Sequence, residues 1–234
     1  MTVPRPADIA NALAAHGLSL RGGWAPNGAD TLPLLPNGQR PGVVWMVGVI
    51  GSAFWPHFKA SAFFSDGLRD PLDRWSRALG DALAARFGGV ALYPFDGPPY
   101  HPFQRWADRA EATQSSAMML RIHPEYGLWH AYRFALALPG SAEPPAPQAA
   151  APMAAATGLC ASCSGQPCLQ ACPVQAYTGK TFVLQACADH LHGGQGQECM
   201  QAGCLARRAC PVAPEQRYTP EHAAFHMQAF AQRH

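Results

Sequence analysis

All eight cysteines of this 234-residue chain lie in one short stretch near its C-terminal end, and this stretch constrains the fold more than any other feature. They form two successive groups of four, and a proline directly follows the last cysteine of each group. The first group has the pattern C-x2-C-x4-C-x3-C-P, and the second is more widely spaced. In order, the cysteines are Cys160, Cys163, Cys168 and Cys172, then Cys187, Cys199, Cys204 and Cys210. Because each 4Fe-4S cluster takes four thiolate ligands, the two groups predict two such clusters.

The Cys-Pro pairs predict that the two groups exchange one ligand. In proteins with two clusters, the cysteine before the proline commonly binds the cluster of the other group. Proline also stops a helix from continuing back through that cysteine. We therefore expect Cys172 and Cys210 to cross over. The predicted ligand sets are Cys160, Cys163, Cys168 and Cys210 for one cluster, and Cys172, Cys187, Cys199 and Cys204 for the other.

Zinc and disulfides are the alternatives to iron–sulfur clusters. Zinc also accepts four thiolates, and C-x2-C pairs occur at many zinc sites. The Cys-Pro endings and the order of the cysteines favour clusters over zinc. Four disulfides would suit a secreted protein, but residues 1–20 carry Arg5, Asp8 and His16 and do not predict a secretory signal.

Composition limits the classes of partner that we expect. The chain is 48% hydrophobic and only 14% charged, which is typical of a globular protein. Its formal charge of +2 gives no indication of nucleic acid binding, so we expect no nucleic acid partner. The longest apolar run, residues 43–54, is shorter than the roughly 18 residues of a membrane span, so we expect no membrane partner. Together with the cysteines, these features predict a cytoplasmic protein.

Hydrophobic periodicity and turn residues predict a mixture of helices and strands before the cysteines. Residues 22–42 are rich in Gly, Pro and Asn and are predicted to be a loop. The two strands 118–122 and 128–138 flank the turn 123–127 and are predicted to pair as a hairpin. The predicted helices are 7–18, 52–64, 70–87, 103–112 and 219–231, and the predicted strands are 43–50, 90–93, 118–122 and 128–138.

A segment dominated by proline and alanine, residues 139–156, separates the two parts of the chain and predicts a stiff linker. It divides the sequence into four regions. These are an N-terminal domain (1–140), a linker (141–156), a domain that holds the cysteines (157–213) and a C-terminal helix (214–234).

A second motif extends from His123 to Gly140 and reads H-P-x-aromatic-G-x-W-x-A-x-R-x5-L-P-G. This string resembles the cobalamin-processing chaperone and decyanase family, the family that is defective in type C methylmalonic aciduria. Residues 41–49 and 70–73 also resemble the first core strand and the following helix of that family. The resemblance covers roughly residues 40–140.

The order of the cysteines is similar to that in cobalamin-dependent epoxyqueuosine reductases and reductive dehalogenases. Those proteins join a corrinoid-binding core of nitroreductase-like fold to a ferredoxin domain with two clusters. The two resemblances imply the same fold class for this chain. It is α+β, with a nitroreductase-like N-terminal core and a C-terminal bacterial ferredoxin-like domain.

The resemblance to the chaperone family also implies four residues that bind a cofactor or its reductant: His123, Gly127, Trp129 and Arg133. An arginine on a strand can offer two parallel donors to a carboxylate or phosphate. By itself, His123 could equally be a turn histidine bonded to backbone. Trp129 taken alone is more typical of a core residue than of a stacking platform.

Taken together, the motifs predict an iron–sulfur electron-transfer protein that reduces a corrinoid (cobalamin), or a related redox ligand, held by its N-terminal domain. The implied cofactors are two 4Fe-4S clusters and cobalamin, and the implied partners are that ligand and an electron donor protein. Two alternatives stay open. One is a ferredoxin-like carrier whose N-terminal domain docks a partner and binds no second cofactor, and the other is a flavin-linked reductase. Whether the chain is an oxidoreductase enzyme is left open by the sequence.

Overall fold

The structure is a computed structural model that describes residues 4–140 and 158–234. It combines helices with small antiparallel strand pairs, so the predicted α+β class is confirmed. The chain divides into two compact units. Unit 1 comprises Met1–Ala112 and Ala131–Ala149, and unit 2 comprises Thr113–His130 and Ala150–His234.

The boundary between the two units does not coincide with the predicted linker. Thr113–His130 belongs to unit 2, although it precedes the linker in sequence. The predicted linker itself, residues 141–156, lies outside the described residues. As functional domains, the four predicted regions stay a prediction.

Unit 1 contains most of the first 140 residues and all strands of the larger sheet. Its elements are α1 (Pro6–Ala14), β1 (Ser19–Trp24), β2 (Val43–Ile50), α2 (Trp55–Lys59), α3 (Ala62–Ser65), α4 (Pro71–Phe87), β3 (Val90–Leu92), α5 (Phe103–Ala110) and β6 (His130–Leu138), whose first residue closes the Thr113–His130 segment.

The four-stranded sheet of unit 1 has the order β1-β2-β6-β3. The β1–β2 and β3–β6 pairs are antiparallel, with Val90 opposite Ala137. Strand β2 is buried along seven of its eight residues, as its continuous apolar sequence predicts. Side chains of β2 and β6 pack with Trp24 and Trp106 to form a core of this unit.

Helix α4 matches its prediction because both of its ends carry strong local signals. Pro71 stands at the first position, where a missing N–H costs nothing. Gly88 follows the last residue with a φ of 70°, a left-handed conformation that glycine adopts without strain. Between them, Leu72, Trp75 and Leu83 are buried at helical spacing.

Two predictions in unit 1 are wrong. Residues 22–24, predicted to belong to the loop 22–42, are part of strand β1 instead, because the glycines of this strand allow a β-bulge between Leu20 and Gly23. Gly22 has a φ of +83°, and a Cβ there would lie 2.2 Å from the carbonyl oxygen of Ala110. The predicted helix 52–64 is interrupted, and α2 and α3 take its place.

Unit 2 contains short helices and one two-stranded sheet. Its elements are β4 (Gln114–Ser115), β5 (Arg121–Ile122), α6 (Pro167–Gln170), α7 (Leu184–His192), a 3-10 turn (Gly194–Gly196), α8 (Gln197–Ala202), α9 (Leu205–Arg208), a second 3-10 turn (Pro214–Gln216) and α10 (Pro220–Ala231). Helix α10 has the predicted start, since the Thr219 hydroxyl accepts a hydrogen bond from the His222 backbone N–H.

The predicted hairpin of residues 118–122 with 128–138 is wrong. Strand β5 pairs with β4 instead, and β6 joins the sheet of unit 1. Residues 116–120 form a turn in which the Ser116 N–H donates to the Leu120 carbonyl at 2.9 Å, and Met119 has a φ of 60°. A single bridge between His123 and Gly127 is all that remains of the expected hairpin.

Among the described residues, no helix has both the length and the apolar character that a membrane crossing requires.

A buried ion pair links distant parts of unit 1. Arg21 of β1 donates from Nε and Nη2 to the two carboxylate oxygens of Glu111, at 2.7 and 2.8 Å. The side chains of Arg21 and Glu111 are 1% and 11% exposed. The Tyr132 hydroxyl of β6 donates to the same carboxylate at 2.7 Å. Three segments therefore meet at one carboxylate.

We expect Glu111→Gln to destabilise the protein by about 3 kcal/mol, because it leaves the buried Arg21 charge uncompensated. Urea unfolding followed by circular dichroism measures the change. The control is Asp8→Asn, which removes the exposed Arg5–Asp8 pair and should leave the unfolding midpoint unchanged. Equal midpoints for Glu111→Gln and Asp8→Asn would contradict a structural role for the buried pair.

Candidate functional site

The first four cysteines lie on turns and on one short helix of unit 2. Cys160 and Cys163 occupy a turn in which the Gly158 carbonyl accepts from the backbone N–H groups of Ala161 and Ser162. Cys168 lies in α6, which starts with Pro167. Cys172 follows the end of α6. The short elements place four thiols within thirteen positions of the chain without a long helix between them.

Two of the second four cysteines lie in helices, one stands just before a helix and one lies two residues beyond its end. Cys187 is in α7, Cys199 in α8, and Cys204 stands at the N-cap of α9. Cys210 follows α9 and is buried. Gly203, between α8 and α9, has a φ of +89° and allows the chain to turn sharply there.

Electrostatic effects define two sets of thiols, and each set contains cysteines from both runs. Burial raises the pKa of Cys168, and the next contributions come from Cys210, Cys160 and then Cys163. The pKa of Cys210 is also raised by burial first, and its neighbouring thiols are again Cys160 and Cys163. These four cysteines are those of the first predicted ligand set.

The other four cysteines influence one another in the same way. The pKa of Cys187 is raised to about 11, mainly by burial and to a smaller extent by Cys204, Cys172 and Cys199. The pKa of Cys204 is raised mainly by burial, with contributions from Cys199 and Cys172. Cys172 therefore lies among the thiols of the second run, and Cys210 among those of the first.

Backbone N–H groups point at several of the sulfur atoms. The Ala176 N–H donates to Cys172 Sγ at 3.3 Å. Hydrogen bonds from Arg207 and Ala206 oppose the pKa rise at Cys204, and one from Val212 does the same at Cys210. Such donors stabilise a thiolate, the form in which cysteine binds metal.

The surroundings of the thiols are apolar. Cys172 and Cys210 belong to one buried cluster together with Met118, Ile122 and Leu128. Cys199 belongs to another, with Leu191 and Ala231. The eight thiols are all free rather than joined in disulfides. Four half-buried to buried thiols with backbone donors and apolar neighbours form a donor set that suits a thiolate-bound iron–sulfur cluster.

Within residues 4–140 and 158–234, no three His, Cys, Asp or Glu side chains lie close enough together to hold a single metal ion.

Three of the four residues implied as cofactor-binding lie in unit 2. His123 is buried, and its Nδ1 accepts from the Glu125 backbone N–H at 3.1 Å, so it makes the backbone contact of a turn histidine. Gly127 has a φ of +56°, and a Cβ there would lie 2.3 Å from the Val212 carbonyl oxygen. The turn thus packs against the residues that follow Cys210, and this contact requires a glycine. Trp129 is only 3% exposed.

Arg133 is the fourth of these residues, and it lies in unit 1. Its Nη2 donates to Asp73 Oδ1 at 2.7 Å and to the Leu72 carbonyl at 3.2 Å, while Nε donates to the Ser76 hydroxyl at 2.9 Å. These bonds join β6 to the first turns of α4. The roles of all four residues in binding a cofactor stay predictions.

A cavity of about 130 Å³ in unit 2 adjoins one of the cysteines and was not predicted from the sequence. Cys204 is on its wall, as are Trp129 and residues of α8, α9 and α10. The adjacent arginines between Cys204 and Cys210 were the available signal. Its lining residues are Trp129, Ala202, Gly203, Cys204, Arg207, Arg208, Arg217, Tyr218, Pro220, Ala223, His226 and Met227.

The side chain of Arg207 is held between two aromatic rings at this cavity. Its guanidinium carbon lies 4.9 Å from the Trp129 ring centre and 4.4 Å from that of Tyr218. It also donates to the Leu128 carbonyl. Tyr218 stacks in turn on His222, with ring centres 4.0 Å apart. Cation–π contacts and the hydrogen bond fix the position of one positive charge.

No protein-family model matches the chain, and no curated protein matches it. Solved structures of epoxyqueuosine reductase are similar to it. A selenomethionine-labelled form is 20% identical with a TM-score of 0.40, covering 78% of this chain and 54% of that chain. A structure with a tRNA-Tyr epoxyqueuosine-modified tRNA stem loop is 21% identical, with the same TM-score and coverage. A structure from Bacillus subtilis, with its catalytic aspartate loop swung out of the active site, is 20% identical with a TM-score of 0.39, covering 79% and 54%. The chain thus spans about half the length of these proteins.

The structure with a tRNA stem loop contradicts the prediction that the partners of this chain include no nucleic acid. That prediction rested on the formal charge of +2, which is an average over all residues. A small net charge does not exclude a local basic surface, because the field at a surface depends on the charges nearby. Arg207, Arg208 and Arg217, for example, meet at one cavity.

In metal-free protein, we expect Cys187 to react with iodoacetamide more slowly at pH 8 than the same cysteine does in urea. Burial, with smaller contributions from the neighbouring thiols, raises its pKa to about 11 from an ordinary 9.0, so the thiolate fraction is lower by roughly a hundredfold at this pH. Its rate should rise as the pH increases towards 11. Mass spectrometry of the tryptic peptide, after removal of metal and confirmation of the fold by circular dichroism, measures the rate. A rate at pH 8 equal to that in urea would contradict the burial effect.

Proposed function

We propose that this chain is an iron–sulfur electron-transfer protein and that its electrons reduce a corrinoid, or a related redox ligand, bound by residues 1–140. The observation that carries the proposal is the arrangement of the eight thiols. They fall into two sets of four by their mutual electrostatic effects, and each set combines cysteines from both runs. Two sets of four thiolates are what two 4Fe-4S clusters need.

In this proposal, Cys160, Cys163, Cys168 and Cys210 hold one cluster, and Cys172, Cys187, Cys199 and Cys204 hold the other. When bound, the clusters supply transfer of single electrons over a wide range of potentials. The chain contributes the environment. Its backbone N–H groups donate to the sulfurs, and apolar side chains such as Ile122 and Leu128 limit the access of water. Both features tune the potential of a cluster.

The proposal also assigns a fold to each region of the chain. Residues 157–213 would form a bacterial ferredoxin-like domain, residues 1–140 a nitroreductase-like core, and residues 214–234 a helix after the ferredoxin-like domain. The sequence resemblances to the cobalamin-processing chaperones and to the cobalamin-dependent reductases support these assignments. Free thiols and iron–sulfur clusters also favour a reducing compartment, so we place the protein in the cytoplasm.

The residues proposed to bind the corrinoid or its reductant are His123, Gly127, Trp129 and Arg133. Arg133 would bind an anionic group of the ligand or its reductant through its guanidinium. Because Asp73 already accepts from that guanidinium, an anionic ligand has to compete with the Asp73 carboxylate.

Anaerobically purified protein should contain about eight irons per chain, and cysteine variants should lose them in fours. We expect Cys160→Ala and Cys210→Ala to lose the same cluster, and Cys172→Ala and Cys199→Ala to lose the other, because each set shares one cluster. Iron and sulfide analysis together with electron paramagnetic resonance of dithionite-reduced samples distinguishes the two clusters.

The control for these variants is Ser162→Ala, which lies between two cysteines and is exposed, and should keep all the iron. If Cys160→Ala and Cys172→Ala removed the same signal, the crossed assignment would be wrong. Zinc, or no metal, in place of iron and sulfide would overturn the proposed function.

The corrinoid part of the proposal predicts a spectral change. Added cobalamin should shift to the base-off absorption spectrum when it binds, and dithionite-reduced protein should then reduce the bound cobalt. The control is the same titration with Arg133→Ala, which should weaken binding if an anionic group contacts Arg133. No shift with any corrinoid, despite normal iron content, would leave a ferredoxin-like carrier. Copurified flavin would instead identify a flavin-linked reductase.

A further inference from the structure

The cavity beside Cys204 has a strongly positive lining. Three of its twelve lining residues are arginines, and none is an aspartate or glutamate. Arg207 and Arg208 belong to α9, and Arg217 precedes α10. Three guanidinium groups around one small cavity repel one another unless an anion balances them. The lining therefore has an excess of positive charge.

The three arginines differ in the contacts that their guanidinium groups make within the chain. Arg207 is fixed between Trp129 and Tyr218. Arg208 donates from Nη1 to Glu198 at 3.1 Å, but both side chains of this pair are substantially exposed. An exposed pair of this kind is weak and can open for a competing anion.

Arg217 is the third arginine, and it differs from Arg208 in having no ion pair among the described residues. It is exposed, and within residues 4–140 and 158–234 no carboxylate pairs with it. It lies near enough to Cys210 to lower the pKa of that thiol. A ligand that reached the cavity would meet this guanidinium without displacing an ion pair.

Two buried donors that belong to residues lining the cavity also lack a partner. Among the described residues, neither the indole nitrogen of Trp129 nor Nε of Arg207 has a hydrogen-bond acceptor. Trp129 is only 3% exposed. A buried N–H without an acceptor is unfavourable, so such groups often mark a place that a ligand or water completes.

We propose that this cavity binds a phosphate-class oxyanion. Guanidinium groups offer paired N–H donors that match the oxygens of phosphate, and this is why arginine predominates where phosphate is recognised. Arg207 supplies a fixed positive charge, Arg217 supplies one that is free to engage, and Arg208 exchanges Glu198 for the anion. The small volume suits a single phosphate or the terminal phosphate of a larger molecule rather than a whole nucleotide.

Cys204 lines the same cavity, so a bound anion should affect the second cluster. This consequence rests on the proposed function. If Cys204 binds the second cluster, a phosphate group held here lies beside that cluster. A negative charge next to a redox centre stabilises its oxidised form, so bound phosphate should lower the reduction potential of the second cluster and leave the first less affected.

Isothermal titration calorimetry of the intact, anaerobically purified protein tests the site directly. The probes are inorganic phosphate and pyrophosphate, titrated at constant ionic strength in a chloride buffer, because unspecific charge attraction is screened equally in each titration. We expect saturable binding of phosphate. Tighter binding of pyrophosphate would indicate that the natural ligand is a phosphate ester, and equal binding that it is free phosphate.

Three variants identify the residues that are responsible. Arg217→Gln should weaken phosphate binding about tenfold, which corresponds to the loss of one charge-assisted contact. The matched control is Arg233→Gln, which removes an arginine of the same unit that does not line the cavity and should leave the dissociation constant unchanged. Glu198→Gln should tighten binding, because Arg208 then has no carboxylate to leave.

The outcomes separate this proposal from the proposed function. Absence of phosphate and pyrophosphate binding in iron-loaded protein would overturn the oxyanion site and leave the electron-transfer proposal standing. Equal affinities of Arg217→Gln and Arg233→Gln would also overturn it. Phosphate binding that requires Arg217, in protein that holds no iron and sulfide, would support the site and overturn the proposed function.

Discussion

The partial or complete burial of the eight thiols, in two sets that each contain cysteines from both runs, is the constraint on which unit 2 depends. Burial is the first cause of the raised pKa at Cys168, Cys187, Cys204 and Cys210. A buried thiol that must become a thiolate needs compensation, and here it comes from backbone N–H groups such as those of Ala176, Arg207 and Val212. Because Cys172 and Cys210 each lie among the thiols of the other run, residues 199–210 must return to residues 160–172. The path of the chain between them follows from that requirement.

The segment 113–130 completes this unit from a distant part of the sequence. Its apolar residues Met118, Ile122 and Leu128 pack around Cys172 and Cys210. The Leu159 N–H donates to the Gln114 side chain at 2.8 Å, which ties the start of the cysteine region to the start of this segment. Arg207 donates to the Leu128 carbonyl and packs on Trp129, 79 and 78 positions earlier in the chain. The segment therefore supplies part of the wall around the thiols, and the motif His123–Gly127 is the turn that shapes it.

Unit 1 uses its charged residues differently. Arg21 and Arg133 each form a close pair with a carboxylate, and each pair joins a strand to a helix or to the residue after one. Burial lowers the screening of such pairs, so breaking one costs more than breaking a surface pair. An arginine that resembles a family's ligand-binding residue can therefore also have a structural partner, and Arg133 has Asp73. In the cavity of unit 2 the balance is the reverse, since the lining arginines outnumber the carboxylates that pair with them.

The sequence by itself determined the features that depend on neighbouring residues. Pro71 and Gly88 set the ends of α4, Thr219 and Pro220 set the start of α10, and a continuous apolar run gave β2. The spacing of the cysteines and their Cys-Pro endings also predicted two ligand sets that exchange Cys172 and Cys210, and this assignment stays a prediction. Only the tertiary structure decided that β5 pairs with β4 rather than β6, that 113–130 packs with the cysteines, and that three arginines meet beside Cys204. Those outcomes depend on contacts between residues far apart in the chain, whose energies no local pattern records.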